Sequence, residues 1–236
     1  MTMREYFLEA TKDFKIKLNE EQLAQLERYY ALLTEWNEKI NLTAITDPQG
    51  VAVKHFADSL TLFNYIDLPQ NASVIDVGTG AGFPGIVLKI ARPDIRLTLL
   101  DSLQKRLNFL GIVLEKLSLE AALIHSRAEE GGHDPALRET FDFAVSRAVA
   151  QLNMLAEFCL PYVRLSGSLI AFKGNAEEEI NSAKNAIGIF GGRIKKSYAF
   201  DLPMDGGSRN LIYIEKVRPT PDKYPRAFGK IKSKPL

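Results

Sequence analysis

The sequence predicts an α/β protein with a mostly parallel seven-stranded sheet, helices on both faces of the sheet, and a helical extension at the N-terminus. The first observation is the alternation of short apolar runs with helical segments from residue 72 onward, which is typical of a buried parallel sheet. The second is a glycine-rich turn directly after the first run. The third is that no helix separates the last two runs, which predicts one antiparallel strand at the sheet edge.

Seven segments have the length and composition of strands. Helices are expected between successive strands up to the sixth. Pro84 is expected to open the first of these helices, because a proline in the first turn lacks only an N–H group that would have no partner. The predicted strands are Ser73–Val77, Arg96–Leu100, Ala121–His125, Phe141–Ser146, Leu165–Lys173, Arg193–Phe200 and Leu211–Val217.

Three parts of the chain are distinguished by their patterns. Residues 1–68 form the helical extension: residues 3–46 read as helical because apolar side chains recur every three or four residues, and Asn19 is a candidate helix cap. After Pro48 a second helix is predicted from about 51 to 66. Residues 69–217 form the main domain. The basic, proline-rich residues 218–236 are expected to lie along the surface without a helix.

Composition limits the class of protein. Cys159 is the single cysteine, so no internal disulfide forms and a cytoplasmic location is expected. No apolar stretch approaches the roughly 20 residues that cross a bilayer. The three histidines suggest no metal site. No feature of the sequence requires an oligomer, so a monomer is expected.

The overall formal charge of +1 conceals an asymmetry. Residues 192–236 carry 11 Lys+Arg against 4 Asp+Glu, while the preceding residues have a net charge of −6. A basic end on an acidic body fits either a polyanion partner or an ordinary solvated tail.

The glycine-rich turn, residues 76–85, stands at the carboxyl end of the first predicted strand, where open α/β sheets bind ligands. Gly78 and Gly80 allow the backbone to approach a ligand closely. A tight turn without a ligand and a dinucleotide site are the alternatives, since the residues from Gly80 also fit G-x-G-x-x-G. Asp76 would repel a pyrophosphate and favours the cationic S-adenosylmethionine. Asp101, after the second strand, is placed to accept hydrogen bonds from ribose hydroxyls of either cofactor.

The sequence contains few signals that identify the atom to which the methyl group is transferred. The Asp/Asn-Pro-Pro-aromatic motif that usually serves exocyclic amino groups is replaced after the fourth strand by residues 146–149, Ser-Arg-Ala-Val. A cysteine nucleophile would be needed for pyrimidine C5, but Cys159 fits a core position better. Both absences favour an acceptor with a free lone pair, such as purine N7, for which no general base is needed.

Several short motifs are spread along essentially the whole chain. They are residues 36–43 (WNEKINLT), 55–60 (HFADSL), 76–85 (DVGTGAGFPG), 127–130 (RAEE), 146–148 (SRA), 172–174 (FKG), 209–211 (RNL), 224–226 (YPR) and 234–236 (KPL). With these motifs the chain resembles the glucose-inhibited division protein B family, the 16S rRNA guanine-N7 methyltransferases with a class I, Rossmann-like fold. Asp101 is a mild departure, because the family often has Glu there.

The resemblance implies methyl transfer from S-adenosylmethionine to N7 of a guanine in 16S rRNA, with free rRNA or a small-subunit precursor as partner. It implies that Arg127 and Arg147 lie near the transferring group, where a guanidinium clamps but cannot accept a proton. The cofactor contacts it implies are Gly78, Phe83, Ala128, Glu129 and Arg147, and the loop argument adds Asp76, Gly80 and Asp101.

The candidate substrate-binding residues are His55, Asp58, Lys173 and Arg209. His55 and Asp58 share one face of a predicted helix; a structural hydrogen bond between them is the alternative interpretation. Lys39 and Asn41 are expected to be structural. Further candidate phosphate contacts are Arg226, Lys230, Lys232 and Lys234. A methyltransferase for small molecules or proteins, a non-enzymatic ribosome-binding protein and a dehydrogenase remain alternatives.

Overall fold

The computed structural model describes residues 1–174 and 176–236 and contains one seven-stranded sheet. The order of the strands is β3-β2-β1-β4-β5-β7-β6. The first five strands run parallel, whereas β7 is antiparallel to both of its neighbours. The strands are β1 (Ser73–Val77), β2 (Arg96–Asp101), β3 (Ala121–His125), β4 (Phe141–Arg147), β5 (Val163–Lys173), β6 (Gly192–Leu202) and β7 (Gly207–Lys216).

All seven predicted strands are present, and the bounds of β1 and β3 agree with the prediction. The predicted place of the antiparallel strand was wrong, because β7 lies inside the sheet and β6 forms the edge. The helical crossover between β5 and β6 leaves a gap one strand wide. The short connection at residues 203–206 then returns the chain into that gap, where β7 pairs with strands on both sides.

Helices cover both faces of the sheet. A π-helix at Val51–Ala57 lies between α3 and α4, and a single 3-10 turn at Leu160–Tyr162 follows α9. The helices are α1 (Met3–Ala10), α2 (Glu20–Ile40), α3 (Pro48–Gly50), α4 (Asp58–Leu60), α5 (Leu62–Tyr65), α6 (Gly85–Ala91), α7 (Gln104–Leu117), α8 (Ala128–Gly131), α9 (Leu152–Cys159), α10 (Glu177–Ile189) and α11 (Phe228–Ser233).

The N-terminal extension is helical, as predicted, but less continuous. Residues 3–46 form two helices rather than one, and α2 ends at Asn41, whose backbone has the left-handed φ of 49°. The predicted cap at Asn19 is confirmed: its side chain accepts a hydrogen bond from the backbone N–H of Gln22, and the Gln22 side chain accepts one from the backbone N–H of Asn19, each at 2.9 Å.

The second predicted helix begins earlier than expected, and its middle part has the wider turns of a π-helix. Asp47 caps it by accepting a hydrogen bond from the N–H of Gly50 at 2.8 Å, so the helix starts at Pro48. Its middle, residues 51–57, is π-helical. Such wide turns occur frequently at functional sites, and this one contains His55.

Two apolar cores lie on opposite faces of the sheet. The first joins the N-terminal helices to α6 and α7 through buried side chains such as Leu26, Tyr29 and Phe109. The second packs α9 and α10 on the sheet around residues such as Leu155 and Phe190. The N-terminal extension therefore shares a core with the sheet. None of the helices within the described residues is long and apolar enough to cross a membrane.

The C-terminal tail was wrongly predicted to lack a helix. The prolines leave residues 226–234 free, and α11 forms there with Ile231 fully buried against the second core. Just before α11, the guanidinium of Arg226 donates to the buried carboxylate of Glu157 from Nε and Nη2, at 2.9 and 2.6 Å. The tail is thus fastened by one buried ion pair and one buried apolar side chain.

We expect Arg226→Ala to lower the free energy of unfolding by about 3 kcal/mol, because it leaves the Glu157 carboxylate buried without its cation. Chemical denaturation measures this change. Lys232→Ala, on the exposed side of the same tail, is the matched control and should change stability by less than about 0.5 kcal/mol. Equal stability of both variants would contradict this account of the tail.

Candidate active site

The carboxyl ends of β1, β2 and β4 and the start of α8 surround a cavity of about 430 Å³. It lies where the strand order reverses between β1 and β4, the usual ligand position in open α/β sheets. The structure brings seven of the eight predicted cofactor-binding residues, together with Arg127, to this cavity. They are Gly78, Gly80, Phe83, Asp101, Ala128, Glu129 and Arg147.

The glycine-rich loop presents its backbone to the cavity. Gly78 has a φ of 71°, and a Cβ atom added there would lie 2.7 Å from Cγ2 of Val149. Gly80 has a φ of 59° and open space around it. A side chain is excluded at Gly78 both by conformation and by contact, so the loop after β4 lies directly over bare backbone.

Asp76 lies beneath the loop and does not line the cavity. Its Oδ2 accepts hydrogen bonds from the Thr79 hydroxyl at 2.8 Å and from the Gly85 N–H at 2.9 Å. Burial, the largest cause, raises the pKa of Asp76 to about 6 against these two hydrogen bonds. A direct contact with a ligand, as the sequence analysis expected, is absent from this geometry; Asp76 shapes the loop and adds negative charge behind it.

Asp101 faces the cavity from the end of β2. Its Oδ2 accepts the N–H of Gly80 at 2.9 Å, its Oδ1 accepts the N–H of Leu103 at 2.9 Å, and Arg106 lies 3.3 Å from Oδ2. The carboxylate is therefore fixed in position, and it holds the N–H group that Gly80 would otherwise offer to an anion.

Residues 126–129, which come directly after β3, form the next part of the cavity wall. Nε of Arg127 donates to Oε1 of Glu129 at 2.6 Å, and the Tyr162 hydroxyl donates to the Ala128 carbonyl at 2.6 Å. Sequence reasoning missed two aromatic residues in the same wall, Phe158 and Phe228. An available signal for Phe228 was its place as the single phenylalanine of the basic tail, residues 218–236.

Arg147 is the centre of a cluster that joins β4 to the π-helical segment. Its Nη1 donates to Oδ2 of Asp58 at 2.9 Å, and its Nη2 lies 3.5 Å from Nδ1 of His55. Within the described residues, no hydrogen bond joins the side chains of His55 and Asp58; both side chains contact Arg147 instead. The ring of Phe83 stacks on His55 at 4.6 Å and lies 5.2 Å from the Arg147 guanidinium.

His55 is a neutral imidazole at ordinary pH. Burial, together with the nearby charge of Arg147, lowers the pKa of His55 to about 3. Its Nε2 lies 2.9 Å from the Thr43 hydroxyl, which fixes the ring. The group is therefore a weak base and a positioned hydrogen-bonding partner.

A second cavity of about 440 Å³ lies on the other side of Arg147. It meets the first cavity at His55, Arg147 and Ala148, which line both. All four predicted substrate-binding residues line it: His55, Asp58, Lys173 and Arg209.

The cations around the second cavity are partly paired. Lys173 donates to the Ala150 carbonyl at 2.8 Å and lies 2.7 Å from Glu179. Nε of Arg209 lies 3.3 Å from Oδ1 of Asp58. These contacts hold both side chains in place at the cavity wall.

Several other candidate residues have structural roles. Cys159 is fully buried, which raises the pKa of its thiol and confirms the expected core position. Lys39 pairs with Glu35 at 2.7 Å, and Asn41 ends α2. Arg226 is bound to Glu157 and is not free to contact phosphate, whereas Lys230, Lys232 and Lys234 are exposed. No cluster suited to a metal ion occurs in residues 1–174 and 176–236.

Comparisons with known proteins agree with this geometry. Residues 22–202 match the GidB family, described as rRNA small subunit methyltransferase G. The ribosomal RNA small subunit methyltransferase G of Acetivibrio thermocellus is 46% identical over 237 residues, covering 100% of this chain and 98% of that protein. The protein of the same name from a Geobacillus species is 48% identical, covering 94% of each chain.

The fold is also found in solved structures. A methyltransferase from Pyrococcus furiosus superposes with a TM-score of 0.57 at 15% identity, covering 83% of this chain and 98% of that one. This likeness confirms the class I methyltransferase fold. The sequence matches identify the family as well as the fold, because they extend over nearly the whole chain at 46 to 48% identity. The chain belongs to the GidB family of small-subunit rRNA methyltransferases.

Proposed function

We propose that this protein transfers a methyl group from S-adenosylmethionine to N7 of a guanine in 16S rRNA, holding the cofactor in the first cavity and the base in the second. The observation that carries the proposal is that the two cavities adjoin at His55, Arg147 and Ala148. A shared boundary is what an in-line transfer between two bound groups requires.

The first cavity fits a cationic nucleoside better than a dinucleotide. The N–H of Gly80, which a pyrophosphate would need, is already bound to Asp101. Asp76 adds a second carboxylate directly behind the loop. Two carboxylates at the glycine turn oppose a diphosphate and favour a sulfonium. Asp101 and residues 126–129 are placed to hold the ribose and the adenine.

When bound, S-adenosylmethionine supplies a methyl carbon that forms a bond to the guanine N7 lone pair as its bond to sulfur breaks, which moves the positive charge onto the purine without releasing a proton. The residues at the boundary suit a reaction without proton removal. Arg147 is permanently protonated, and His55 is held neutral as a weak base. Their role in the proposal is to position the base and to exclude water.

The second cavity suits a nucleotide of a large polyanion. Lys54, Arg147, Lys173 and Arg209 surround it, and phosphate contacts of such residues supply much of the affinity for RNA. The tail adds the exposed side chains of Lys230, Lys232 and Lys234 to the basic surface of the protein. We propose a monomer that acts on 16S rRNA or a small-subunit precursor in the cytoplasm.

The proposal is tested with 16S rRNA and small subunits from cells that lack this protein. Incubation with purified protein and labelled S-adenosylmethionine should place one methyl group on guanine N7, identified by chromatography and mass spectrometry of the digested RNA. Methylation at another guanine atom, or of small acceptors in preference to RNA, would reject the assignment.

Arg209→Ala and Lys173→Ala should each raise the KM for RNA by about three- to tenfold, because each removes one candidate phosphate contact. The Kd for S-adenosylmethionine should stay at its wild-type value. Lys184→Ala removes an exposed lysine on α10 whose ammonium contacts Asn181, and it is the control. An unchanged KM in both cavity variants, measured at low salt, would exclude these two residues from RNA binding.

Affinity for S-adenosylmethionine should depend on the charge of Asp76. Because the pKa of Asp76 is about 6, the carboxylate is ionised above this pH and becomes neutral as the pH falls below it. A cation is therefore bound more tightly above pH 6, and the Kd should rise on acidification from pH 7.5 to 5. Asp76→Asn should bind more weakly at pH 7.5 and flatten this profile.

Calorimetry across this pH range provides the measurement. Asn can still accept the hydrogen bonds from Thr79 and Gly85, so the loop is kept. The exposed Asp13→Asn is the control and should retain the wild-type profile. A profile that is identical in wild type and Asp76→Asn would show that this carboxylate does not act on the cofactor.

A further inference from the structure

The C-terminal helix α11 contributes one side chain to the first cavity. Phe228, its first residue, lines the cavity, and 40% of the residue remains exposed. Its ring centroid lies 6.3 Å from that of Phe158, with an angle of 21° between the planes. A half-exposed aromatic ring at a cavity wall is an apolar surface available to a ligand.

The position of Phe228 within the cavity is specific. The guanidinium carbon of Arg127 lies 4.4 Å from the Phe228 centroid, and Arg127 in turn is paired with Glu129. Phe228 therefore borders the polar segment after β3. The glycine loop contacts Asp101 at the end of β2, the strand between β1 and β3 in the sheet. The cavity wall therefore runs from the glycine loop past Asp101 to the segment that Phe228 borders.

The chain around Phe228 is fastened on both sides. Two residues before it, Arg226 donates to Glu157, and three residues after it Ile231 is fully buried. The carbonyl of Pro225 lies 2.7 Å from Nε2 of His133. These anchors fix the ring in place before any ligand arrives, which reduces the entropy lost on binding.

We propose that Phe228 is a cofactor-binding residue that packs against the adenine of S-adenosylmethionine. Adenine has an extended π surface, and stacking of a base on an aromatic side chain is tolerant of orientation and favourable in water. The inference rests on the proposed function and deepens it: the tail, which lies beyond the matched residues 22–202, completes the cofactor site.

Binding measurements test this inference directly. Phe228→Ala should raise the Kd for S-adenosylmethionine about tenfold, and the Kd for 5′-methylthioadenosine by a similar factor, because both ligands carry the adenine. Phe228→Tyr should bind nearly as the wild type does. Leu8→Ala, which removes an exposed apolar side chain on α1, is the control and should leave both constants unchanged.

A fluorescence measurement provides a readout that is independent of activity. The chain has one tryptophan, Trp36, so Phe228→Trp in a Trp36→Phe background places the only indole at the cavity. Addition of 5′-methylthioadenosine should quench it, whereas methionine alone should not. Thermal unfolding shows whether Phe228→Ala is folded, and the tryptophan variant keeps the test decisive if it is not.

The outcomes separate the two proposals. If the wild type fails to bind S-adenosylmethionine, the proposed function itself is wrong. If the wild type binds it and Phe228→Ala binds equally well, only the role of Phe228 is overturned. A raised KM for RNA with an unchanged cofactor Kd would likewise overturn it, since Phe228 would then belong to the RNA surface.

Discussion

The buried pair between Arg147 and Asp58 is the interaction on which the site depends. Asp58 is 3% exposed and lies between two guanidinium groups, with Arg147 at 2.9 Å and Arg209 at 3.3 Å. A buried carboxylate without a cation is strongly destabilising, so this arrangement ties β4, β7 and α4 together. The same guanidinium also lies between the two cavities. In the proposed function, the contact that stabilises the fold therefore also positions the boundary between cofactor and base.

Two carboxylates hold the glycine-rich loop in place. Asp76 organises the loop from below through Thr79 and Gly85, while Asp101 takes the N–H of Gly80 from the side. Glycine loops that bind phosphate leave their N–H groups free for an anion. Here one of those groups is occupied by a carboxylate and a second carboxylate lies behind it. The glycine spacing is shared with dinucleotide sites, but the charged groups next to this loop are carboxylates.

Patterns with a short physical range were predicted well from the sequence. Alternating apolar runs gave β1 and β3 with their observed bounds, and the sequence around Asn19 predicted the helix cap there. Features that depend on contacts between distant parts of the chain were not predicted. The place of β7 follows from the gap beside β5, and the direction of the Asp76 side chain follows from the loop above it. The tail and α11 take their place because, in the folded chain, Arg226 meets Glu157 and Ile231 meets the second core. No local pattern contains this information.

In the folded molecule, only part of the basic charge at the C-terminal end of the chain faces solvent. Part of the basic end is used internally: Lys216 is buried against the Leu160 carbonyl and Glu139, and Arg226 is bound to Glu157. Of the other tail cations, Lys230 and Lys232 lie on the short helix that begins with Phe228, and Lys234 follows it directly. A polyanion attracted to these lysines would meet the same helix that forms a wall of the first cavity. Part of the exposed basic charge of the tail is therefore located beside the first cavity, where the proposed RNA partner would meet it.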